Sequence, residues 1–373
     1  MKKILYIANH RLPTEKAYGI QISKMCESFA DLDYETVLVA PYRISKIKDD
    51  FFEYYNVKRN FRFKKIFSPD FYLPGRLDRI AFQIKYFISA AILAIYALIK
   101  KADIIYSRDE LPLYFLSFFH KNLVFEIHNF SKKRVFFYKR LKNKKIKVIA
   151  ISNGIKNELE KNGFDSKNLL VAFDGVDLAK FDIDISKTEA RNKLNLPLNK
   201  KIVIYTGHLF KWKGVDTLVE AAELLKDVLF IFVGGMVSDV EKFKKGHSLE
   251  NILFLGHRPY RDIPLFLKAA DVLVLPNEKE EKISELYTSP LKLFEYMASR
   301  RPIIASDLPS IRDVLDEKSA VFFEPGNANH LAKGIEKIIE SENLAQALSA
   351  RVFEKVQNYT WQKRAEKILE FIK

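Results

Sequence analysis

The chain has 373 residues, of which 48% are hydrophobic, and this length suits two globular domains. Its single cysteine, Cys26, excludes an internal disulfide and a metal cluster built from cysteines. The net charge is +15, and residues 1–190 contribute +12 of it, from 34 Lys/Arg against 22 Asp/Glu. The first half is therefore much more basic than the second.

Short apolar runs separated by helical stretches predict a buried parallel sheet in the first half. The apolar run at the start of the chain stops at Ala8 and is too short for a signal peptide, so we expect a strand there. The predicted strands cover residues 3–8, 36–40, 102–107, 123–128 and 147–152.

Residues 87–99 form the longest uncharged apolar run. A helix needs about twenty residues to span a bilayer, so we expect a core helix here, with an interfacial helix as the alternative.

Residues 132–147 hold nine basic residues and no acid, and three aromatic residues lie among them. This composition suits an anionic membrane surface or an anionic substrate, although a solvated basic helix fits equally well. Nucleic acid is not an expected partner, because no recognisable reading module accompanies the charge.

Polar residues at the carboxyl ends of two predicted strands are candidates for chemistry. Glu126 and His128 lie two apart on one strand and share a face near its end. A histidine there can orient a hydroxyl or stabilise developing charge, although such a residue is often structural. Arg108 closes the preceding strand beside Asp109, and an ion pair with no further role is the alternative.

Residues 181–190 lack a strong hydrophobic period and are the expected linker. The predicted strands of the second half cover residues 201–206, 229–235, 251–256, 271–276, 302–306 and 320–324. We therefore predict a first domain over residues 1–183, a second over 184–360, and a closing helix over 361–373 that reaches back to the first. The predicted class is α/β, with two facing doubly wound, Rossmann-like domains and a cleft at the carboxyl ends of their strands.

The loop after the first strand of the second half combines a glycine with cations. Gly207 allows close approach to the backbone, and His208, Lys211 and Lys213 follow it. The spacing is not that of a Walker loop, so phosphate binding and an ordinary strand-to-helix loop both stay open. The Gly-Gly pair at 234–235 gives a weaker signal of the same kind.

A further helix is predicted to begin at Pro290, with Ser289 as its capping residue. Its N-terminus would direct backbone N–H groups and the positive end of the helix dipole at an anion. Leu291 lies on the apolar stripe of this helix, whereas Lys292 and Glu295 are neighbours on another face. A carboxylate at Glu295 suits hydrogen bonds from sugar hydroxyls, and a capped core helix with a surface Lys–Glu pair is the alternative.

The sequence does not indicate a metal. The Asp-x-Asp match at residues 31–33 lies at the wrong edge of the predicted sheet for a ligand, and the match at 182–184 falls in the expected linker. No His/Cys cluster has the spacing of a metal site.

Taken in order, several stretches resemble the GT-B glycosyltransferases, specifically the large retaining family 4 group. No single stretch is specific, but the ordered set is, and it covers nearly the whole chain. The stretches are residues 14–21, 105–109, 126–128, 151–153, 174–177, 207–214, 270–276, 288–298 and 303–307.

The resemblance implies roles for individual residues. Gly19 would lie in a flexible loop that meets the diphosphate or the acceptor, and His128 would stand near the transferred sugar. Lys213 would bind the donor diphosphate, and Glu295 would bind the nucleotide ribose. The implied catalytic residues are thus His128 and Lys213, with Arg108 and Glu126 on the acceptor side. The implied donor-binding residues are Gly19, Gly207, His208, Lys213, Gly234, Gly235, Ser289, Leu291, Lys292 and Glu295.

Two positions depart from the family pattern. His208 stands where the family commonly has arginine, and a neutral imidazole neutralises a diphosphate less well than a guanidinium. Tyr287 stands eight residues before Glu295, in the place of the first glutamate of the Glu-x7-Glu motif. The sequence resembles the Ser-Pro-x-Lys variant of that motif, which leaves open which groups bind the hydroxyls of the donor sugar.

The expected function is that of a retaining glycosyltransferase, which moves a sugar from a nucleoside-diphosphate-sugar donor to an acceptor hydroxyl in cell-surface polysaccharide or glycolipid assembly. The expected partners are the donor, a glycan or lipid-linked acceptor and an anionic membrane surface bound by residues 132–147. No cofactor or metal is expected, and the expected location is the cytoplasm, at the inner face of the membrane. The alternatives are a GT-B nucleotide-sugar epimerase and a non-catalytic membrane-surface protein that kept the fold.

Overall fold

The computed structural model describes residues 1–45, 47–236, 239–241, 243 and 249–373. Contacts divide the chain into a first unit, Met1–Phe173 with Trp361–Lys373, and a second unit, Asp174–Thr360. The closing residues thus belong to the first unit, and the boundary lies ten residues earlier than expected.

Residues 181–190 do not form the expected linker. Two short helices, Leu178–Phe181 and Lys187–Lys193, occupy this part of the chain. The side chains of Phe181 and Arg191 are buried, and the Arg191 guanidinium pairs with a carboxylate of the second unit. Because these side chains pack into the second unit, that unit begins before them.

The first unit contains a parallel sheet of seven strands in the order β3-β2-β1-β4-β5-β6-β7. Its strands are β1 Lys3–Ile7, β2 Glu35–Pro41, β3 Arg62–Ile66, β4 Ile104–Ser107, β5 Leu123–Ile127, β6 Lys147–Ala150 and β7 Leu169–Val171. Its helices up to the unit boundary are α1 Ala17–Asp31, α2 Phe51–Tyr55, α3 Leu77–Lys100, α4 Glu110–Leu116, α5 Val135–Asn143 and α6 Asn153–Lys161. The five predicted strands are confirmed. The sequence missed β3, an edge strand with exposed basic side chains, and β7, which is three residues long.

The second unit contains a parallel sheet of six strands in the order β10-β9-β8-β11-β12-β13, and all six were predicted. Its strands are β8 Lys201–Thr206, β9 Val228–Val233, β10 Ile252–Gly256, β11 Val272–Leu275, β12 Ile303–Ser306 and β13 Val321–Phe323. The remaining helices are α7 Leu178–Phe181, α8 Lys187–Lys193, α9 Val215–Leu224, α10 Ile263–Ala269, α11 Leu291–Ala298, α12 Pro309–Arg312, α13 Ala328–Glu340, α14 Glu342–Val356 and α15 Trp361–Phe371. Of these, α15 belongs to the first unit, where it packs on α1.

In each sheet the strand order reverses at one point, which is the usual ligand position in open α/β sheets. In the first unit β1 lies between β2 and β4, with Ile7 paired to Ser107, so the residues after β1 and β4 meet at one edge. In the second unit β8 lies between β9 and β11 in the same way. These two edges hold most of the candidate residues.

The predicted core helix at 87–99 is part of the much longer helix α3, and much of it is not core. Small residues form most of its buried face, whereas large apolar residues remain exposed. By length and composition α3 would pass as a membrane span, with a mean hydropathy of 1.8 in its most apolar window and 33% of that window buried. The same test is passed by core helices of soluble proteins.

One glycine of the second unit gives a test of the fold. Gly214 precedes α9 with a φ of 69°, and a Cβ there would overlap the Pro276 carbonyl oxygen after β11. Gly256 has a similar φ of 66°, but no heavy atom of the described residues lies within 4 Å of its Cβ position.

We expect Gly214→Ala to lower the free energy of unfolding by at least about 3 kcal/mol, whereas Gly256→Ala should cost only about 1 kcal/mol from its positive φ. Denaturant unfolding of the two variants measures the difference. Equal costs would contradict the close approach of α9 and β11.

Candidate functional site

In the first unit, a fully buried carboxylate collects hydrogen bonds at the end of β5. Glu126 Oε1 accepts from Gln21 Nε2 and His128 Nε2, both at 2.5 Å. Its other oxygen accepts from the Tyr106 hydroxyl and, at 3.2 Å, from Arg364 Nη1. Burial alone would raise the pKa of Glu126, but the charge of Arg364 and the bond from His128 outweigh it and hold the pKa well below its ordinary value. Glu126 is therefore a permanent anion.

This carboxylate fixes the state of His128. Because a carboxylate only accepts, His128 Nε2 must donate, and the neutral ring then presents Nδ1 as an acceptor. Burial and the nearby Arg108 cation lower the pKa of His128 to about 4, although Glu126 opposes them. The half-buried imidazole is thus neutral at physiological pH and is oriented for a hydroxyl donor.

Arg108 and Asp109, for each of which an ion pair was the alternative, have different partners. Arg108 Nη1 donates to Gln21 Oε1 at 2.7 Å, which links it to the Glu126 network. Asp109 instead lies 2.9 Å from His10 Nε2 and accepts from the Asn9 backbone N–H at 2.7 Å.

The sequence reasoning missed several residues of this cluster. Asn9 and His10 follow β1 after Ala8, so their position at the ligand edge was a usable signal. Gln21 lies in the stretch 14–21 that carries the resemblance, but Arg364 gave no signal, because it lies 238 residues away from Glu126 along the chain.

The expectation that Gly19 lies in a flexible loop is wrong. Gly19 is the third residue of α1, and a Cβ there would overlap the Tyr55 hydroxyl. That hydroxyl accepts from the Thr14 N–H at 2.7 Å and donates to the Thr14 carbonyl at 3.0 Å. Close packing of Tyr55 therefore explains this glycine.

In the second unit, glycines without side chains follow the ends of strands β8 and β9. The Gly207 N–H donates to the Val233 carbonyl at 2.9 Å, and a Cβ on Gly234 would overlap the Gly207 carbonyl. Gly235 follows with a φ of 84°. The predicted glycines thus do come together. Packing against Gly207 and Leu209 explains Gly234 and Gly235, whereas a Cβ on Gly207 would lie 3.9 Å from Lys213 Nζ.

Two lysines with lowered pKa values belong to this edge. Burial lowers the pKa of Lys213 to about 8, although the Glu295 carboxylate opposes it. Lys292 is fully enclosed, and burial together with repulsion from Lys213 puts its pKa well below the ordinary value. Its Nζ lies 4.0 Å from the Tyr205 ring centroid and has no hydrogen-bond partner among the described residues. Burial without a partner disfavours the protonated form of this side chain, and an anion beside it would favour that form.

Glu295 lies one turn further along α11 and is also buried. Its Oε1 accepts from the Tyr260 hydroxyl at 3.0 Å. Burial raises the pKa of Glu295 to about 7, against the hydrogen bond from Tyr260 and the charges of Lys292 and Lys213. The alternative of a surface Lys–Glu pair is therefore wrong, since both side chains are inside the unit.

The start of α11 differs from the prediction. The helix begins at Leu291, with Pro290 as the flanking residue, and no side chain caps it. Ser289 does not cap because its Oγ accepts from the Asp174 N–H at 2.9 Å. Lys292, in the first turn of the helix, is still close enough to Lys213 for the two side chains to repel each other.

The two departures from the family pattern are ordered parts of the second unit. The His208 ring stacks on the Phe210 ring, with 5.1 Å between the ring centroids. The backbone carbonyl of His208 accepts a hydrogen bond from the Tyr205 hydroxyl at 2.7 Å. Tyr287 is buried at the end of the π-helical turn Ile283–Tyr287. Within the described residues no three His, Cys, Asp or Glu side chains are placed to hold a metal. Independence from metal stays a prediction.

Solved structures share this architecture over nearly the whole chain. Sucrose-phosphate synthase from Thermosynechococcus elongatus matches with a TM-score of 0.79 and 19% identity, covering 99% of this chain and 98% of that one. Anabaena HepE, solved with UDP and glucose, matches with a TM-score of 0.76 and 18% identity, covering 99% of each chain. The fold is therefore that of the GT-B glycosyltransferases.

The sequence comparison finds a family match within the second unit. Residues 186–355 match the model of glycosyl transferases group 1. A relative from Bacillus subtilis, named as the teichuronic acid biosynthesis glycosyltransferase TuaC, is 28% identical over 61% of this chain and 56% of its own length. The chain spans 56% to 61% of the length of this relative and of two archaeal glycosyltransferases that it also matches.

We expect Glu126→Gln to lower the free energy of unfolding of the first unit by about 3 kcal/mol, because it leaves the buried Arg364 guanidinium without its carboxylate. The cost should be full above about pH 4.5 and shrink progressively below it, because the unfolded carboxylate then takes up a proton that the folded one, with its lowered pKa, does not. Denaturant unfolding across pH measures both effects.

Glu370→Gln is the matched control, because Glu370 is an exposed glutamate on α15, the helix that carries Arg364. It should unfold like the wild type at every pH. A Glu126→Gln cost that equals the control, or that does not change with pH, would contradict the network.

Proposed function

We propose that the protein is a retaining glycosyltransferase that moves a sugar from a nucleoside-diphosphate-sugar donor to an acceptor hydroxyl. The observation that carries the proposal is the pair of amines Lys213 and Lys292, which are at least partly removed from water. Lys213 Nζ lies 3.9 Å from the position of a Cβ at Gly207, and Lys292 Nζ has no hydrogen-bond partner among the described residues. An anion bound beside them would favour the protonated form of both side chains. A diphosphate is the anion that fits such a site, and the family match of residues 186–355 supports it.

The chemistry follows from the charges. Cleavage of the sugar–phosphate bond leaves negative charge on the diphosphate, and fixed cations in a poorly hydrated site stabilise that charge effectively. Lys213 and Lys292 take that role, together with the uncapped N-terminus of α11. Glu295 then accepts hydrogen bonds from the ribose hydroxyls. The scheme uses no cofactor, and the proposal includes none.

The first unit supplies the neutral His128. Its Nδ1 accepts a hydrogen bond from a hydroxyl of the transferred sugar or of the acceptor, while Glu126 keeps the ring from rotating. Arg108 belongs to the same network, and we assign it and Glu126 to the acceptor side.

Two similar proteins support the wider assignment. TuaC is named for teichuronic acid biosynthesis, and HepE was solved with UDP and glucose. By analogy we propose a nucleotide-sugar donor and a glycan or lipid-linked acceptor in polysaccharide or glycolipid assembly. The protein would act in the cytoplasm, at the inner face of the membrane, with residues 132–147 facing anionic lipid.

We expect Lys213→Ala to lower turnover by roughly a hundredfold or more, as for other groups that stabilise transition-state charge. The donor is first chosen by thermal shift with UDP-, GDP- and ADP-glucose. Lys211→Ala is the matched control, since Lys211 lies in the same turn but is 77% exposed and 3.6 Å from Glu280. Turnover of Lys213→Ala within a few-fold of this control would contradict the assignment.

The donor affinity should fall as the pH rises through about 8, because the Lys213 ammonium then loses the proton that attracts the diphosphate. Ionisation of Glu295 near pH 7 acts in the same direction, by adding negative charge to the site. UDP-glucose suits the test, because its diphosphate keeps its charge between about pH 6 and 9.

Calorimetric titration across this range measures the effect, and Lys213→Arg should flatten it above about pH 8, since a guanidinium stays charged. An affinity that rises with pH would contradict the role of Lys213. Product analysis with donor alone separates the remaining alternative, because an epimerase converts the donor without an acceptor.

A further inference from the structure

Helix α3 buries mainly small residues and exposes large apolar ones, which is the reverse of what a core helix does. Its buried face is formed mainly by small residues: Ala81, Ser89, Ala90, Ala94 and Ala97. Its exposed face carries large ones, which are 45% to 69% exposed: Ile80, Phe82, Ile84, Phe87, Ile95 and Ile99. Five of these positions are spaced as one side of a helix requires, so they form a continuous stripe. A core helix of a soluble domain would bury the large residues instead.

The stripe continues onto neighbouring helices through aromatic contacts. The Phe87 ring lies 5.4 Å from Phe115 of α4, whose neighbour Tyr114 lies 5.5 Å from Phe118 and 5.4 Å from Phe136 of α5. Phe118, Phe119 and Phe136 are 51%, 75% and 66% exposed. We call these five phenylalanines and the tyrosine, with the exposed stripe of α3, the apolar face. Contiguous exposed apolar surface of this extent marks an interaction site.

The rim of the apolar face is basic. Lys132, Lys133 and Lys139 are exposed and form no ion pair with any residue that the structure describes. Arg79 lies on α3 itself, and the helix ends in Lys100 and Lys101.

The acids nearby are mostly neutralised. Glu110 pairs with Arg134 at 2.6 Å, and Asp70 pairs with Lys85 at 3.4 Å. Residues 1–190 as a whole carry +12, from 34 Lys/Arg against 22 Asp/Glu. The partner that fits is therefore apolar beneath and negatively charged at its surface.

We propose that the apolar face is a docking surface for an anionic lipid bilayer, with α3 lying flat in the interface and its stripe entering the acyl boundary. The basic rim then meets the lipid phosphates. A second copy of the chain fits less well, because it would bring two basic rims together. Insertion across the membrane fits less well, because Lys85 in the middle of α3 is buried and tied to Asp70 inside the unit.

This proposal deepens the membrane location given in the proposed function and rests on that part of it, whereas donor binding in the second unit does not depend on it. It also shifts the main lipid contact from the charges of residues 132–147 to the apolar face, whose binding should survive salt in part. The test is co-sedimentation of the full chain with phosphatidylglycerol–phosphatidylcholine vesicles at low and high salt.

The test variant is Ile84→Glu/Ile95→Glu, two exposed positions of the stripe. The control is Leu198→Glu/Leu224→Glu in the second unit, where the leucines are 53% and 52% exposed. We expect the stripe variant to bind vesicles at least about tenfold more weakly than the control. Its melting temperature and its donor affinity should match those of the control.

Three results would overturn the proposal. The first is wild-type protein that stays in the supernatant of anionic vesicles at low salt. The second is a stripe variant that binds vesicles as well as the control. The third is a wild-type dimer that the stripe variant converts to a monomer, which would show that a second copy covers the face. Loss of donor affinity in Lys213→Ala with vesicle binding intact separates a failure of one proposal from a failure of the other.

Discussion

The second unit buries a lysine amine whose protonated form its own described residues do not stabilise. Lys292 is buried in the first turn of α11, with its ammonium over the Tyr205 ring and no hydrogen-bond partner in the described part of the chain. Lys213 repels it, and Glu295 offsets the two only in part, because burial raises the pKa of that carboxyl as well. A fold tolerates such a cost where a ligand removes it, and a bound diphosphate would do so.

The first unit shows the opposite arrangement. Glu126 is equally buried, but four donors satisfy it, and one of them is an arginine from the closing helix. This carboxylate has no capacity left for a ligand. Its effect is to hold His128 neutral and in one orientation. The first unit therefore holds the neutral imidazole of His128 in one orientation. The second unit instead holds two buried amines, Lys213 and Lys292, whose protonated forms a bound anion would stabilise.

Much of this was predictable from local pattern. The apolar runs predicted the buried strands directly, and the positions of Gly207 and His128 at strand ends followed from those strands. The features that were not predicted depend on contacts between residues far apart in the sequence. Lys292 and Glu295 lie off the apolar stripe of α11, but every residue from Lys292 to Ala298 is buried, because the second unit encloses the helix on all sides. The Arg364–Glu126 pair joins residues 238 apart.

Two local predictions failed for different reasons. Ser289 has the composition of a helix cap, but the Asp174 backbone takes its hydroxyl. In α3 the apolar run was visible in the sequence, whereas its orientation was not, since only the tertiary packing decides which face turns inward.

The central claim is that Lys213 and Lys292 form the diphosphate site. A crystal structure with the nucleoside diphosphate that stabilises the protein most tests it directly. The account predicts phosphate oxygens within hydrogen-bond distance of Lys213 Nζ, beside the first turn of α11. A diphosphate bound elsewhere, with Lys213 and Lys292 uncontacted, would contradict it.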